Sequence, residues 1–169
     1  MLLICTASSG HNLKLAMRLS ELADDMAIPN QVMDLTKTNL PLYTPTRDDE
    51  GRPPTLDEVE TAFEASTGMI VVAPEYNGSI PPTLSNCIAW LSTQTDDFRA
   101  LFTLKPVAIA THSGGGGQKV LVAMRLQLSH LGSTVLGREL MTNPKKPLNE
   151  QSARAILGQL NALMGPRAD

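Results

Sequence analysis

Five short runs rich in apolar residues, separated by segments with helical periodicity, constrain the fold of this chain more than any other feature. Short continuous apolar runs are typical of strands that are buried on both faces, as in a parallel sheet. Between the runs, apolar side chains recur at spacings of three and four residues, which is typical of amphipathic helices. The alternation predicts an α/β sandwich of three layers, with helices on both faces of a five-stranded parallel sheet. The predicted strands cover residues 2–7, 31–35, 68–74, 105–111 and 133–141.

The helix boundaries follow from prolines and from capping residues. The first helix is predicted to end near Ile28, because Pro29 cannot continue it. Thr55 as N-cap, with Glu58 at the third helical position, predicts the start of the next helix through a capping box. Residues 36–54 hold four prolines and are predicted as a long surface loop, a feature that is usually functional or mobile. Further helices are predicted over residues 82–91, 119–131 and 151–164.

Length and charge exclude several classes of protein. The 169 residues suit one domain, predicted over residues 1–169. A net charge of −3 argues against a nucleic-acid partner, which needs a basic face, and is too small for a strongly acidic electron carrier. Cys5 and Cys87 lack metal-ligand spacing, so no metal site is predicted. The apolar runs are too short to span a bilayer and no secretory signal is visible, so the expectation is a cytoplasmic protein without a membrane partner.

Three unusual loops follow three of the predicted strands, at residues 6–12, 74–80 and 111–117. Open parallel sheets bind ligands outside the carboxyl ends of their strands, near the point where the strand order reverses. Because the three loops share that edge, we expect them to converge on one ligand. The sequence contains neither a GxGxxG fingerprint nor a Walker lysine, which argues against a dinucleotide-type Rossmann site and against a nucleotide triphosphatase.

The chemistry of each loop leaves two interpretations open. The first loop places hydroxyls and amides at the start of a helix, which suits a phosphate but also suits ordinary helix capping. The second combines an aromatic ring and an amide with glycine and prolines, which suits a flat ligand or a plain turn. The third holds four consecutive glycines, Gly114–Gly117, which favours close approach of a ligand over a flexible lid.

The second and third loops carry a resemblance to a known family. Pro74-Glu-Tyr-Asn77, continued by Gly78-Ser-Ile-Pro81 and by the helix pattern Asn86-Cys-Ile-Ala-Trp-Leu91, resembles the signature of the NAD(P)H-dependent FMN reductase family. Ser113 with its glycine run, followed by residues 120–131, resembles the second block of that family. The resemblance extends over essentially the whole chain and implies the flavodoxin-like fold of the family.

The resemblance implies FMN as cofactor, NADPH or NADH as co-substrate, and a small-molecule electron acceptor such as a quinone, a flavin, an azo dye or a metal oxyanion. It implies a homodimer or homotetramer, with helices 82–91 and 118–131 as interface elements. The flavin does the chemistry, so no catalytic side chain is predicted. The implied cofactor-binding residues are Ser8, Ser9, His11 and Asn12 at the phosphate, Pro74, Glu75, Tyr76, Asn77 and Gly78 along the ring, and Ser113, Gly114, Gly115 and Gly116 on its other side.

Departures from the family pattern keep alternatives open. Many relatives carry an arginine in the phosphate loop, whereas this loop has none. Arg47 and Arg52 either meet the 2′-phosphate of NADPH or are plain loop charges, and Glu75 is either a proton donor or a solvated carboxylate. Two further functions remain: a flavodoxin-type electron carrier, and a flavin-free binding protein on the same fold.

Overall fold

The computed structural model of the chain describes residues 1–93 and 96–165. Strands and helices alternate along most of the chain, as the sequence predicts. The strands are β1 Leu2–Thr6, β2 Asn30–Asp34, β3 Gly68–Val72, β4 Pro106–His112, β5 Thr134–Val135 and β6 Leu140–Thr142. The helices are α1 His11–Asp25, α2 Pro45–Asp49, α3 Leu56–Ala65, α4 Pro82–Ser92, α5 Gln118–His130 and α6 Glu150–Leu163.

The strands form one parallel sheet in the order β2-β1-β3-β4-β5, and β6 also pairs with β4. This is the flavodoxin-like order, in which the direction of winding reverses between β1 and β3. The predicted fold class is confirmed. Because β1, β3 and β4 are neighbours, the loops that follow them lie side by side at the carboxyl edge of the sheet.

Alternate residues of each central strand face opposite helical layers. Leu3, Cys5 and Val71 pack under α3, α4 and α5, whereas Ile4 and Ile70 pack against α1 and α6. Burial on both sides explains why these strands are continuous apolar runs in the sequence.

Cys5 and Cys87 are free and are buried between the sheet and the layer of α3, α4 and α5. Burial raises the pKa of the Cys87 thiol to about 12. None of the helices in the described part of the chain has the length and apolar character that crossing a membrane requires.

The predicted last strand, residues 133–141, is two short strands. β5 pairs with the start of β4 and β6 with its end, so together they occupy one edge of the sheet. Between them Gly137, Arg138 and Glu139 are exposed, and Arg125 of α5 donates a hydrogen bond to Glu139 at 3.1 Å. Two adjacent charged residues cannot both be buried in a parallel sheet without partners. The chain therefore leaves the sheet there and rejoins it.

Three local expectations differ from the structure. The predicted loop at residues 36–54 contains the short helix α2, which begins because Thr44 accepts a hydrogen bond from the backbone N–H of Arg47 at 3.0 Å and Pro45 fits the first helical position. Thr55 precedes α3 in a helical conformation and its side chain makes no capping hydrogen bond, so the capping box does not form. The first helix ends at Asp25 rather than near Ile28.

The segment 40–43, which we call the strap, is fixed to α4. The Asn86 side chain accepts a hydrogen bond from the Tyr43 N–H at 2.7 Å and donates one to the Pro41 carbonyl at 2.9 Å. The indole N–H of the fully buried Trp90 donates to the same carbonyl at 2.8 Å, and the Tyr43 ring packs edge-on against the indole. The Asn86-Cys-Ile-Ala-Trp-Leu91 pattern therefore has a structural role, because it holds the strap in place.

Candidate functional site

The three loops converge on one cavity of about 410 Å³ at the carboxyl edge of the sheet. The loops after β1, β3 and β4 supply most of its walls, and the turn after β6 closes one side. Nine of the thirteen predicted cofactor-binding residues line it, and the other four, Asn77, Gly78, Gly115 and Gly116, do not. The lining residues are Ser8, Ser9, Gly10, His11, Asn12, Pro74, Glu75, Tyr76, His112, Ser113, Gly114 and Pro144.

The loop after β1 presents the start of α1 to this cavity. The Thr6 hydroxyl donates to the carbonyl of Ser8 at 3.0 Å, which turns the chain at the strand end. α1 begins at His11, so the backbone N–H groups of its first turn have no partner within the helix. These N–H groups, the positive end of the helix dipole and the hydroxyls of Ser8 and Ser9 are the components of an anion site.

Asn12 was predicted to bind phosphate, but its side-chain amide is engaged elsewhere. It accepts a hydrogen bond from the backbone N–H of His112 at 2.7 Å and donates one to the carbonyl of the same residue at 3.0 Å. The side chain is buried and ties the first turn of α1 to the end of β4. Asn12 therefore fixes the position of the helix start, and only its backbone remains for an anion.

Ser113 and Glu75 connect the second and third loops. The Ser113 hydroxyl accepts a hydrogen bond from the Glu75 N–H at 2.8 Å and lies 3.0 Å from the Thr111 hydroxyl. The Glu75 carboxylate accepts from the backbone N–H of Lys119 at 3.2 Å. A carboxylate at the start of α5 is stabilised by the helix dipole. Glu75 thus acts as an anchor between the loops, which favours the reading of a loop carboxylate over a proton donor.

The second loop folds back as a tight hairpin. Tyr76 and Ser79 exchange two backbone hydrogen bonds, of 3.1 and 3.0 Å, around Asn77 and Gly78, which both have positive φ. This is a type I′ turn, for which Asn-Gly is the preferred sequence. The turn places Asn77 and Gly78 at its tip, away from the cavity, while Tyr76 at its base remains half exposed on the cavity wall.

The four glycine positions of the third loop differ in whether the backbone conformation and the surrounding atoms require glycine. Gly116 and Gly117 have φ of +117° and +84°, and a Cβ on Gly117 would lie 2.6 Å from Thr111 Cγ2. Gly114 and Gly115 have open space around the position of a Cβ: apart from the glycine itself and its two neighbours in the chain, no atom of the described residues lies within 4 Å of it. The first pair shapes the turn into α5, and the second pair leaves room beside the cavity.

Two histidines stack against each other in the cavity wall. The rings of His11 and His112 lie 4.6 Å apart, centroid to centroid, with an angle of 19° between their planes. His112 was not among the predicted site residues, nor were Gly10 and Pro144. His112 immediately precedes Ser113 at a strand end, and that position was the only signal in the sequence that pointed to it.

A second cavity of about 400 Å³ lies between the strap and the start of α4. It is bordered by Leu35, Leu42 and Pro82, and none of its lining residues among the described chain is titratable. Of these two cavities in the described part of the chain, the first combines an anion-type loop, an aromatic wall and the reversal of the strand order. We therefore take the first cavity as the functional site.

Known proteins resemble this chain in sequence and in fold. The family model described as NADPH-dependent FMN reductase matches residues 1–146. A quinone reductase of Escherichia coli K12 is 35% identical over 103 residues, which are 59% of this chain and 53% of that protein. The chain thus spans about half the length of the curated relatives it matches.

Solved structures show the same fold. The flavoenzyme NAD(P)H:(acceptor) oxidoreductase FerB of Paracoccus denitrificans superposes with a TM-score of 0.72 at 20% identity, over 96% of this chain and 94% of that one. General stress protein 14 of Treponema denticola, solved in complex with FMN, superposes with a TM-score of 0.60 at 15% identity, over 96% and 98%.

Proposed function

Because the chain belongs to the NADPH-dependent FMN reductase family, we propose that it binds FMN in the cavity and acts as an NAD(P)H oxidoreductase. The observation that carries the proposal is the convergence of the three loops beside the β1/β3 reversal of the sheet. The proposal extends to residues 1–169 as one flavodoxin-like FMN-binding domain.

The residues present fit such a cofactor. The start of α1, with Ser8 and Ser9, offers donors to a phosphate. Tyr76, which is 50% exposed, offers an aromatic wall, and the open space beside Gly114 and Gly115 admits a flat ring. The cavity volume of about 410 Å³ lies within the range of small-molecule sites.

When bound, FMN would accept a hydride from the nicotinamide and pass the electrons to the acceptor. The chain would contribute binding and orientation. The start of α1 would hold the phosphate, and the hydrogen bond between Ser113 and Glu75 would keep the second and third loops at a fixed separation. Backbone N–H groups of these loops would stabilise the negative charge that develops on reduction. We propose no catalytic side chain.

The acceptor belongs to the proposal as a class of small molecule. The match to a quinone reductase supports a quinone; free flavin, azo dyes and metal oxyanions are the other members of the class. Both arginines weighed for a nucleotide phosphate are paired: Arg47 with Glu50, and Arg52 with Asp57 and Glu60. Those pairs support their interpretation as loop charges, so NADPH and NADH both stand as donors.

We also propose a homo-oligomer, dimer or tetramer, that assembles through α4 and α5. On α5, Val122 and Leu126 are 68% and 74% exposed and lie one helical turn apart on the same face. A second copy of the chain would cover this apolar face, on the same helix whose start binds the carboxylate of the cavity residue Glu75. Two free cysteines agree with a cytoplasmic location, where thiols stay reduced.

The test is a visible absorption spectrum of the purified protein after incubation with FMN and desalting, followed by anaerobic NADPH and then NADH. We expect flavin to be retained and its absorbance to bleach on addition of a nicotinamide nucleotide. Retained flavin that responds to dithionite but to neither nucleotide would point to the electron carrier. An unchanged FMN fluorescence on titration with protein would remove the cofactor and leave the flavin-free binding protein.

A further inference from the structure

The proposed phosphate end of the cavity has an unusual balance of charge. A phosphate monoester carries a charge of about −1.5 to −2 at neutral pH. Yet neither lysine nor arginine occurs among the residues that line this cavity. The titratable lining residues are His11, His112, Glu75 and Tyr76. Lys145 and Lys146 follow Pro144 in the exposed turn after β6 and are the nearest cations along that part of the chain. The two histidines are therefore the only lining side chains that can become positive.

A chain of hydrogen bonds fixes the proton on one nitrogen of His112. The Thr142 hydroxyl donates its hydrogen to the buried carbonyl of Thr111 at 3.0 Å. The same oxygen lies 3.0 Å from Nδ1 of His112, and because its hydrogen is already used it can only accept. The neutral ring therefore carries its proton on Nδ1. Nε2 can donate to a ligand only when the ring takes up a second proton.

The stacked partner opposes that second proton as long as no anion is present. Two charged imidazoles 4.6 Å apart repel each other, so the empty pair favours the neutral state of at least one ring. Burial lowers the pKa of His112, and the charge of His11 lowers it further. An anion bound beside both rings favours protonation of His112, because it attracts the positive charge that burial and the neighbouring ring disfavour.

We propose that the stacked pair His11 and His112 takes up a proton when the cofactor phosphate binds, so that the chain loses affinity for FMN as the pH rises through neutrality. This inference rests on the proposed function and deepens it, because it assigns the phosphate charge to histidine in a loop without arginine. It makes cofactor retention sensitive to pH in a range where histidine titrates.

The sign of the pH dependence follows from linkage. A ligand whose binding takes up a proton binds more weakly as the pH rises, by up to about tenfold per pH unit for each proton. We expect the FMN dissociation constant to rise roughly tenfold between about pH 6 and pH 8, because histidine side chains ordinarily titrate near this range and the uptake of one proton changes affinity by up to about tenfold per pH unit. The phosphate itself becomes more negative over the same range, which would strengthen binding, so it cannot cause the loss.

The experiment measures the dissociation constants of FMN and riboflavin by flavin fluorescence quenching across this pH range. Riboflavin lacks the phosphate and should bind with an affinity independent of pH. His112→Asn, alone and combined with His11→Asn, should flatten the FMN profile. His130→Asn, at the far end of α5, is the matched histidine control and should keep the full slope. Lys145→Gln with Lys146→Gln should weaken FMN at every pH without changing the slope.

A second readout needs no variant. Imidazole nitrogen spectra of the wild-type protein should show Nε2 of His112 titrating at higher pH with FMN than without it. An FMN profile that changes less than about twofold, or an equal slope in His112→Asn, would overturn the inference and leave the FMN site intact. Absence of binding by both flavins at every pH would instead overturn the proposed function.

Discussion

At the scale of single residues, neighbouring positions of the same type have different constraints. Gly117 adopts φ of +84°, and an added Cβ would lie 2.6 Å from Thr111 Cγ2. Gly114, three residues earlier, has neither constraint and lines the cavity. The sequence shows four consecutive glycines, so it could not distinguish the glycine that the backbone conformation requires from the glycine whose open surroundings suit a ligand.

This contrast gives a matched pair of variants. Gly117→Ala should lower the free energy of unfolding by about 1–2 kcal/mol or more, from the positive φ and the contact with Thr111. Gly114→Ala should change it by less than about 0.5 kcal/mol, yet weaken FMN binding because its methyl group occupies open space in the cavity wall. Urea denaturation and FMN titration check both. Equal loss of stability in the two variants would contradict the assignment.

Lys105 provides a pH dependence of stability. Its ammonium donates hydrogen bonds to the Phe63 carbonyl at 2.5 Å and to the Ser66 hydroxyl at 2.9 Å, and burial lowers its pKa from 10.5 to about 8. Between those values the unfolded chain binds more protons than the folded chain, so the free energy of unfolding should rise with pH. The buried thiols, whose pKa values are raised, act in the opposite sense, and their effect grows as the pH approaches and passes their ordinary value of 9.0.

Between about pH 8 and pH 9 the comparison of the wild type with Lys105→Met therefore isolates the contribution of Lys105, because both proteins keep the buried thiols. Urea midpoints of the wild type, measured across this range, should rise relative to those of Lys105→Met. Lys14→Met, a change at an exposed lysine of α1, is the control and should behave as the wild type does. A rising midpoint in Lys105→Met would assign the effect to another group.

At the scale of elements, the sequence predicted buried strands better than edges and loops. β1, β3 and β4 were evident because burial on both faces demands continuous apolar residues. The split between β5 and β6 depends on where Arg138 and Glu139 find solvent, which is a property of the assembled sheet. The hairpin of the second loop was encoded locally by Asn77-Gly78, and a plain turn was one of the two interpretations that the sequence left open for this loop.

The candidate site, too, was predicted from the sequence only in part. The sequence predicted which loops meet, because strand order determines it. It could not show that the Asn12 amide is used by the backbone of His112, since the two residues are far apart in the chain. Nor could it pair the two histidines, whose stacking depends on the register of α1 against β4.

The strap gives the prediction at this scale. Asn86→Ala removes the acceptor for Tyr43 N–H and a donor to Pro41, and should lower the free energy of unfolding by about 1–3 kcal/mol. Trypsin should then cleave faster after the exposed Lys37, because the strap is released. Ser85→Ala, on the exposed side of the same helix, is the control. Cleavage at the control rate in Asn86→Ala would contradict this role of Asn86.

At the scale of the whole molecule, the exposed apolar face of α5 is the feature that a lone chain does not explain. Val122 and Leu126 lie on the same helix whose start receives the Glu75 carboxylate. An interface on this helix would therefore bring a second chain close to the second loop. Assembly and cofactor binding would share one structural element.

If the chain assembles through α5 as proposed, Leu126→Glu should convert it into a monomer, because a buried interface would have to accept an unpaired charge. Light scattering coupled to size-exclusion chromatography measures the mass. Leu104→Glu is the matched control, since Leu104 is 79% exposed outside α5. A wild-type monomer, or an unchanged oligomer in Leu126→Glu, would remove α5 from the interface.

The anchoring of the strap by Trp90 also gives the chain an intrinsic optical probe. Trp90 is the single tryptophan of the sequence, it is fully buried, and its N–H is bound to the Pro41 carbonyl. All indole emission therefore originates from one point, where α4 meets the strap. Release of the strap should shift this emission to longer wavelength without any label. A flavin in the neighbouring cavity, which absorbs in the range where indole emits, should quench it by energy transfer, so one fluorescence trace would report both strap closure and cofactor occupancy.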